Sequence, residues 1–588
     1  MRIGVEINNE FLDLKPNTNI QFDMLSPLYF GDRDPDIIPG TKAYSFTVPL
    51  SDSNRRKLNR PELLDNPDDM IKNEPCNIYY DNELLFVGTA KINEANSEDD
   101  CQLQFTGGLA GNLSVLKTKL LSELVLGGIR DIGPDQADVI DHANTVVANS
   151  DDYDYVFPSF RLDFWETEEE YDDNYELVNH YDAGSFFKNK VFTYQQHSTL
   201  APSFKVKYIL NQIFEEHGFR LTGVFDFHEF REELANLILF SNYTLDIAKV
   251  GAPSTPHPDH LEFVTFINPK NHVPDTEIST FLKQVSNTFA WAILIDPQHK
   301  KVAIIPYNDI LKKVTSKNWT GKVEKTYVKE PRLANPPTKF CYANEEIYDW
   351  YLQDGTFREL DYPRYKYKGE VDTTADIPAT NDDITYYVRD VYYVRSTNTY
   401  YRWNFTSHIL IRKDIRCWGD GADSFKADAK TLFHYTNWTP EISSFGAYLT
   451  PFYFDEVVSP IYGSSKIAET TFLFWRGLQS KFMAASQYPL ASNHVYDSDE
   501  NQLADANLSL LWNVPEGLYN VWHKNWHQFL LKTRTVIYPT RLTASDIRGF
   551  DWSEKVRIDK HDYFIKRIQI TLTTTEIKTA RVEYAQIN

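Results

Sequence analysis

The chain has 588 residues, more than one hydrophobic core usually serves, so three to five domains are expected. It carries 83 Asp and Glu against 60 Lys and Arg, a formal net charge of -23, and a field of that sign repels nucleic acid, whose binding depends on neutralising phosphates. Aromatic residues make up 14% (37 Phe, 36 Tyr, 12 Trp), too large an apolar content for a disordered chain, and with abundant Asn, Asp and Thr the composition leans to strands and turns.

RRKLNR (55–60) and KYKGE (366–370) are too short to build a basic channel and read as solvated surface. The N-terminal MRIGVEINNEFLDL lacks a long apolar stretch, and no later segment reaches about 18 uncharged apolar residues. Neither a signal peptide nor a membrane span is therefore expected. The cysteines are Cys76, Cys101, Cys341 and Cys417, with no CxxC spacing and too sparse for a disulfide scaffold. Buried free thiols are expected; the one alternative is a Cys76–Cys101 bridge, since both begin strands that can be neighbours.

Residues 1–110 read as short strands forming a barrel or sandwich. Asn8-Asn9 and Asp81-Asn82 each separate two apolar runs, and both pairs tolerate the left-handed conformations of a two-residue hairpin. The strands are Arg2–Ile7, Glu10–Leu14, Ala43–Pro49, Asn77–Tyr80, Glu83–Ile92 and Gln102–Thr106. Ser51 or Asp52 is placed to cap one or two helical turns. Gly88, in mid-strand, marks a bulge or bend in a curved sheet rather than a ligand contact.

Residues 111–200 form an irregular, acidic linker or insertion, in which LSVLKTKLLSELVLGG has helix-like spacing up to Gly127-Gly128. Residues 201–330 read as an α+β domain. In FKVKYILNQIFEEHG (204–218), Val206, Ile209, Leu210, Ile213 and Phe214 share a helix face and Gly218 ends it. Thr280–Asn287 predicts a second helix with Phe281, Leu282 and Val285 inward, feeding strand Ala290–Ile295, a turn, and strand Val302–Ile305: a helix backed against a hairpin.

Residues 331–510 are a Tyr-rich β domain. DITYYVRDVYYVRSTNTYYRWNF (383–405) alternates with period two and breaks at Arg395–Asn398 like a hairpin. Such rings build stacking platforms for sugars or bases, or bury at subunit contacts. Residues 511–588 read as a helix, Leu518–Leu531, followed by strands, and VRIDKHDYFIKRI repeats the strand–turn–strand pattern of the N-terminal region.

No constellation assigns chemistry. His228-Glu229-Phe230 lacks the second histidine of a zinc-protease helix. His257 and His260, three apart in a proline-rich loop, offer two of the three or four ligands zinc needs, with His272 as a candidate third, but they read as solvent-exposed loop histidines. His523 and His527 face one way on a helix without a cysteine or carboxylate pair to complete a ligand set. The acidic run Glu166–Asp173 lacks calcium-loop spacing, and GGLAG (107–111) lacks the Gly-Lys-Ser/Thr that grips phosphate. No catalytic, cofactor-binding or metal residue is assigned, no cofactor is expected, and the chain reads as a non-enzyme.

Several passages, in order, resemble the large structural hub proteins of tailed-phage tail tips from phages and prophages of Bacteroidetes hosts. They are AYSFTVPLSDSNRRKLN with NELLFVGTAKI, LSELVLGG, FKVKYILNQIFEEHGFRLTG, TFLKQVSNTFAWAILIDPQHKKVAII, FWRG with YPLASNHVYD, and GLYNVWHKNWHQFL with DWSEKVRIDKHDYFIKRI. The resemblance implies a mainly β, multidomain protein with α+β parts, in which tail-tube-like β-barrels carry small helix-and-hairpin domains. It also implies a structural virion protein, assembled in the host bacterial cytoplasm. The implied partners are the chain itself as a ring (a trimer first, a hexamer second), the tail tube or distal tail protein, a fibre or spike protein, and the tape measure protein as a further candidate. No specific nucleic-acid binding is expected, and an acidic lumen would let DNA pass. The rival expectation is a carbohydrate-binding receptor-recognition or glycan-degrading protein, favoured by the aromatic density of 383–460.

Overall fold

The computed structural model describes residues 2–29, 41–62, 73–95, 100–107, 119–162, 177–182, 184–186, 200–249, 260–324, 470–480, 487–495, 502–512, 515–548 and 550–587, with short segments between 332 and 453. The protein is mainly β, with helices packed against several of its sheets. Both asparagine-type turns form as the sequence predicts. Asn8 and Asn9 take φ of 51° and 65°, Asp81 and Asn82 take 50° and 66°, the left-handed pair that matches the twist of a tight hairpin. They join Ile3–Ile7 to Glu10–Phe11 and Glu74–Tyr80 to Glu83–Ala95. Ser51 is the cap of Asp52–Lys57, its hydroxyl accepting from the Asn54 amide at 3.1 Å. The predicted strand at 43–49 is instead two, Thr41–Ala43 and Phe46–Pro49.

Rather than ending at residue 107, this sheet continues into the far end of the chain. Asn19–Leu25 pairs antiparallel with His561–Thr573, which pairs with Ala580–Ile587, and that with Arg534–Thr540. Fourteen strands among the described residues join in one sheet. Its register follows burial: Ile20 stands opposite Leu572, Phe22 opposite Ile570 and Met24 opposite Ile568, all inside one core. A slip of one residue would turn the three apolar side chains of the slipping strand outward, so the apolar alternation of two segments over 500 positions apart fixes their pairing. On the outer face Arg567 makes a two-pronged ion pair with Asp23, its Nε at 2.7 Å from Oδ1, across the same seam.

Gly88 is not itself a bulge. It lies between Cys76 and Gly107 on neighbouring strands, and a Cβ there would stand 2.2 Å from the Thr106 carbonyl oxygen and 2.8 Å from the Phe105 ring. The missing side chain lets Phe105 fold back across the strand; the bulges lie either side, at Ile78/Tyr79 and Ile92/Glu94.

A second core holds the helices. Val206–Glu215 buries all five residues of its predicted face, and Gly218, at φ 74°, ends it. Ile278–Phe289 runs through a left-handed Ala290 into Trp291–Asp296, which pairs with Lys301–Pro306 in the predicted helix–hairpin unit; Phe289 stacks on Trp291 at 4.6 Å. Parallel to Lys301–Pro306 lies Arg220–Gly223, where Gly223 (φ 115°) would place a Cβ 2.2 Å from the Ile304 carbonyl.

In the 111–200 region the helical spacing before Gly127-Gly128 yields only one 3-10 turn, Leu121–Glu123, among the described residues. The helix in this region is instead Gln136–Ala148, within the stretch expected to be irregular. Asp135 caps it, accepting from Ala137 and Asp138 amides, while Asp138 returns a bond to the Asp135 amide, and Val139, Ala143, Val146 and Val147 are buried. Tyr392 and Tyr393 lie opposite Tyr401 and Tyr400 in the hairpin expected around Arg395–Asn398.

The two cores meet where Ser26 leaves the sheet. Leu28 and Tyr29 enter the helical core, where the Trp526 indole donates to the Tyr29 carbonyl at 3.2 Å. From the other side, Gln298 at the hairpin turn donates to the Leu84 carbonyl at 3.2 Å. No helix among the described residues is long and apolar enough to cross a membrane.

Candidate functional sites

Most groups the sequence singles out are scattered or buried as scaffold. His257 lies outside the described residues. His260 begins a strand paired with Asp246–Lys249. His272 is a core residue, its ring edge-on to Tyr243 at 5.1 Å, so the two described histidines of that trio do not form a loop site. Among the described residues no group of three His, Cys, Asp or Glu is arranged to hold a metal ion. His228 packs on Trp522 at 5.1 Å with Nε2 3.5 Å from Asp309; burial lowers its pKa and Asp309 opposes the shift.

Cys76 and Cys101 are free and buried, on strands separated by Glu83–Ala95. Burial, helped by Glu6 near Cys76 and Glu62 near Cys101, pushes both thiols up to about 12, so neither supplies a thiolate nucleophile at neutral pH. The acidic run 166–173 lies outside the described residues, as do 108–111 of GGLAG, while Gly107 is a strand residue. Three of the four basic residues of RRKLNR are occupied with carbonyls: Arg55 with Leu50, Arg56 with Asp52, and Lys57 with Phe11. Lys57 thereby covers part of the sheet's N-terminal edge.

The most elaborate polar site was not anticipated. Arg476, the arginine of FWRG, is 5% exposed in its side chain and forms an ion pair with Glu233. It also donates to the Leu508 carbonyl at 2.7 Å and lies over Phe474 at 4.7 Å. Glu233 accepts in addition from the Asn507 amide at 2.9 Å and the Leu508 amide at 3.0 Å. Burial lowers the Arg476 pKa and Glu233 opposes that shift. Desolvating two charges is costly unless the remaining valences are filled, and here backbone groups fill them. The group ties Arg231–Ala235, Phe472–Ser480 and the 505–508 segment together, which is a positioning role.

A second cluster holds the LSELVLGG loop. Tyr208 donates to the Leu126 carbonyl at 2.5 Å, and a Cβ on Gly127 (φ 76°) would stand 2.4 Å from that hydroxyl. Arg130 lies over the Tyr208, Tyr155 and Phe204 rings at 4.8, 5.3 and 5.6 Å and pairs with Asp154 at 2.9 Å. This leaves Val125 and Ile129 each 65% exposed, with Phe266, opposite Asp131, 41% exposed. What these surfaces offer is contact area rather than chemistry.

No protein-family model matches the chain, and no curated protein does. Among solved structures it is similar to the 43 kDa tail protein of prophage MuSo2 from Shewanella oneidensis, at 7% identity and a TM-score of 0.29, over 99% of this chain and 97% of that one. It is also similar to prophage tail protein gp18 from Listeria monocytogenes EGD-e (9%, TM-score 0.30, 100% and 94%). The tail protein from Neisseria meningitidis MC58 gives 8%, 0.25, 100% and 96%. TM-scores this low lie below what marks a shared fold.

Proposed function

We propose that the chain is a structural protein of a phage tail, a hub at the tail tip that closes into a ring and joins the tail tube to the fibre or spike. The observation that carries this reading is the composite sheet. Two hairpin systems from opposite ends of the chain, each overlapping the passages that resemble tail hubs, fuse into one sheet with its own core, antiparallel except where Lys317–Asn318 runs beside Val556–Ile558. A protein that works by contact needs such a rigid surface and exposed apolar side chains; Phe11 on the sheet's edge strand, Phe227 and Val314 are 52%, 81% and 88% exposed. Cyclic closure repeats one interface, and an obligate ring would bury it over a large area. The net charge of -23 suits a lumen through which DNA slides without sticking.

The test is the mass of the purified protein in solution, with negative-stain images of the eluted species. A closed ring of three or six copies with a central opening supports the proposal, and the count separates a hub from a hexameric adaptor. A monomer that also fails to add to isolated tail tubes overturns it. The glycan-binding alternative draws on the hairpin that sets Tyr392 opposite Tyr401 and Tyr393 opposite Tyr400. Retention of that monomer on a glycan array would favour it.

A further inference from the structure

The LSELVLGG loop ends in a turn that its own residues resist. The Gly128 amide donates to the Val125 carbonyl at 2.9 Å, and the pair between them, Leu126 and Gly127, takes φ of 48° and 76°. Leucine disfavours that left-handed region, because its Cβ crowds the following carbonyl. Leu126 is held there from three directions. Its side chain is buried, its amide donates to Glu216 Oε1 at 3.0 Å, and its carbonyl accepts from Tyr208.

This constraint decides which side chains face outward. Leu124 and Leu126 are buried while Glu123 and Val125 are exposed; past the turn Ile129 and Asp131 are exposed and Ile132 is buried. Phe266 stands directly opposite Asp131 in an antiparallel pair, so its ring shares the face of Ile129 and Asp131. The result is an apolar tip of Val125, Ile129 and Phe266 with a carboxylate on either arm, Glu123 and Asp131. Glu277, bridged through its backbone to Leu120, is a further exposed acid. The neighbouring cations offset this charge only in part. Arg130 points to the other face, over the Tyr208 ring and onto Asp154, and Lys119 lies 3.9 Å from Glu216; Lys270, in the short turn after Ile267, is exposed.

We propose that this tip is a docking site for another protein, which lays on it an apolar segment flanked by Lys or Arg. An apolar centre with a charged rim is the anatomy of a protein interface, and a turn already fixed in place loses little freedom on binding. The carboxylates on both arms select a partner whose apolar residues stand between cations and turn away an anionic one. A second copy of this chain fits poorly. It brings the same charge of -23, and three of the four basic residues in its RRKLNR run are already bonded to carbonyls. Three side chains cover far less than the roughly 800 Å² per partner of a standard interface, so the tip serves as the anchor of a wider contact. The inference stands on the loop alone and does not rest on the tail reading.

Selection of a random peptide library on the full chain, followed by fluorescence polarisation of the enriched peptides, tests this. Those peptides should carry apolar residues between Lys or Arg and should bind V125S/I129S at least about tenfold more weakly than the unchanged protein. E123Q/D131N should weaken them several-fold at low salt and little at high salt. F227S/V314S, which alters exposed apolar residues on other segments, should leave binding unchanged. If V125S/I129S fails to fold, slowed hydrogen exchange across 123–131 of the unchanged protein on adding the peptides decides instead. Enrichment of no peptide that depends on the tip, or of acidic or uncharged peptides only, overturns the proposal. A lower mass of the native species for V125S/I129S also overturns it, because a second copy then covers the tip.

Discussion

The two cores solve the same problem in different ways. The composite sheet is held by apolar alternation, with its charged pairs, such as Arg567–Asp23, on the outer face where water shares the cost. The helical core buries polar groups: Arg476 with Glu233, His523 against Thr288, and Asn179, whose amide bonds the Pro158 and Ala201 carbonyls at 2.7 and 2.9 Å. Apolar alternation tolerates gradual change, because each pair contributes on its own. A buried polar group holds only if every partner is present. The sheet should therefore lose stability in small steps and the helical core in large ones.

The sharpest way to break this contrast is Glu233→Ala, which leaves the Arg476 guanidinium buried without its counter-ion. It should cost about 3–5 kcal/mol in urea unfolding, while E233L/R476M, which removes both charges, should recover much of the loss. A cost under about 1 kcal/mol for the single change would end the distinction between the cores. Within the sheet, Gly88→Ala forces a methyl against the Thr106 carbonyl and the Phe105 ring and should cost about 1–3 kcal/mol, read as a lowered midpoint with unchanged slope. The smallest effect belongs to the hairpin. Asn82→Gly at φ 66° should change stability by only a few tenths of a kcal/mol, in the stabilising direction, whereas Asn82→Val should lose about 1–2 kcal/mol because its branched Cβ resists the left-handed region. Equal midpoints for the two variants would show that the turn is not held left-handed.

What could be read in the sequence followed the range of the force involved. Asn8-Asn9, Asp81-Asn82, the Ser51 cap, the Val206–Glu215 face and the helix–hairpin at 278–306 depend on neighbours within a few residues, and they formed as the residues imply. Gln136–Ala148 was legible too, through Asp135 and Asp138 at capping distance, but its apolar face is broken by polar residues and its mean pattern is weak. The spacing of His523 and His527 gave their common face without saying which way that face turns.

By itself, then, the sequence determined strand and helix periodicity, turn positions and the sign of the overall field, because each is a property of adjacent residues or of their sum. Tertiary structure alone decided that 19–25 pairs with 561–573, that Glu233 meets Arg476 across 243 positions, and that two histidines lie in the dark between Trp512 and Thr288. Many apolar strands in this chain are equally fit to pair, and a lone arginine or glutamate carries no mark of its partner. Which of them meet depends on the core closing around all of them at once, and no local stretch of residues encodes that closure.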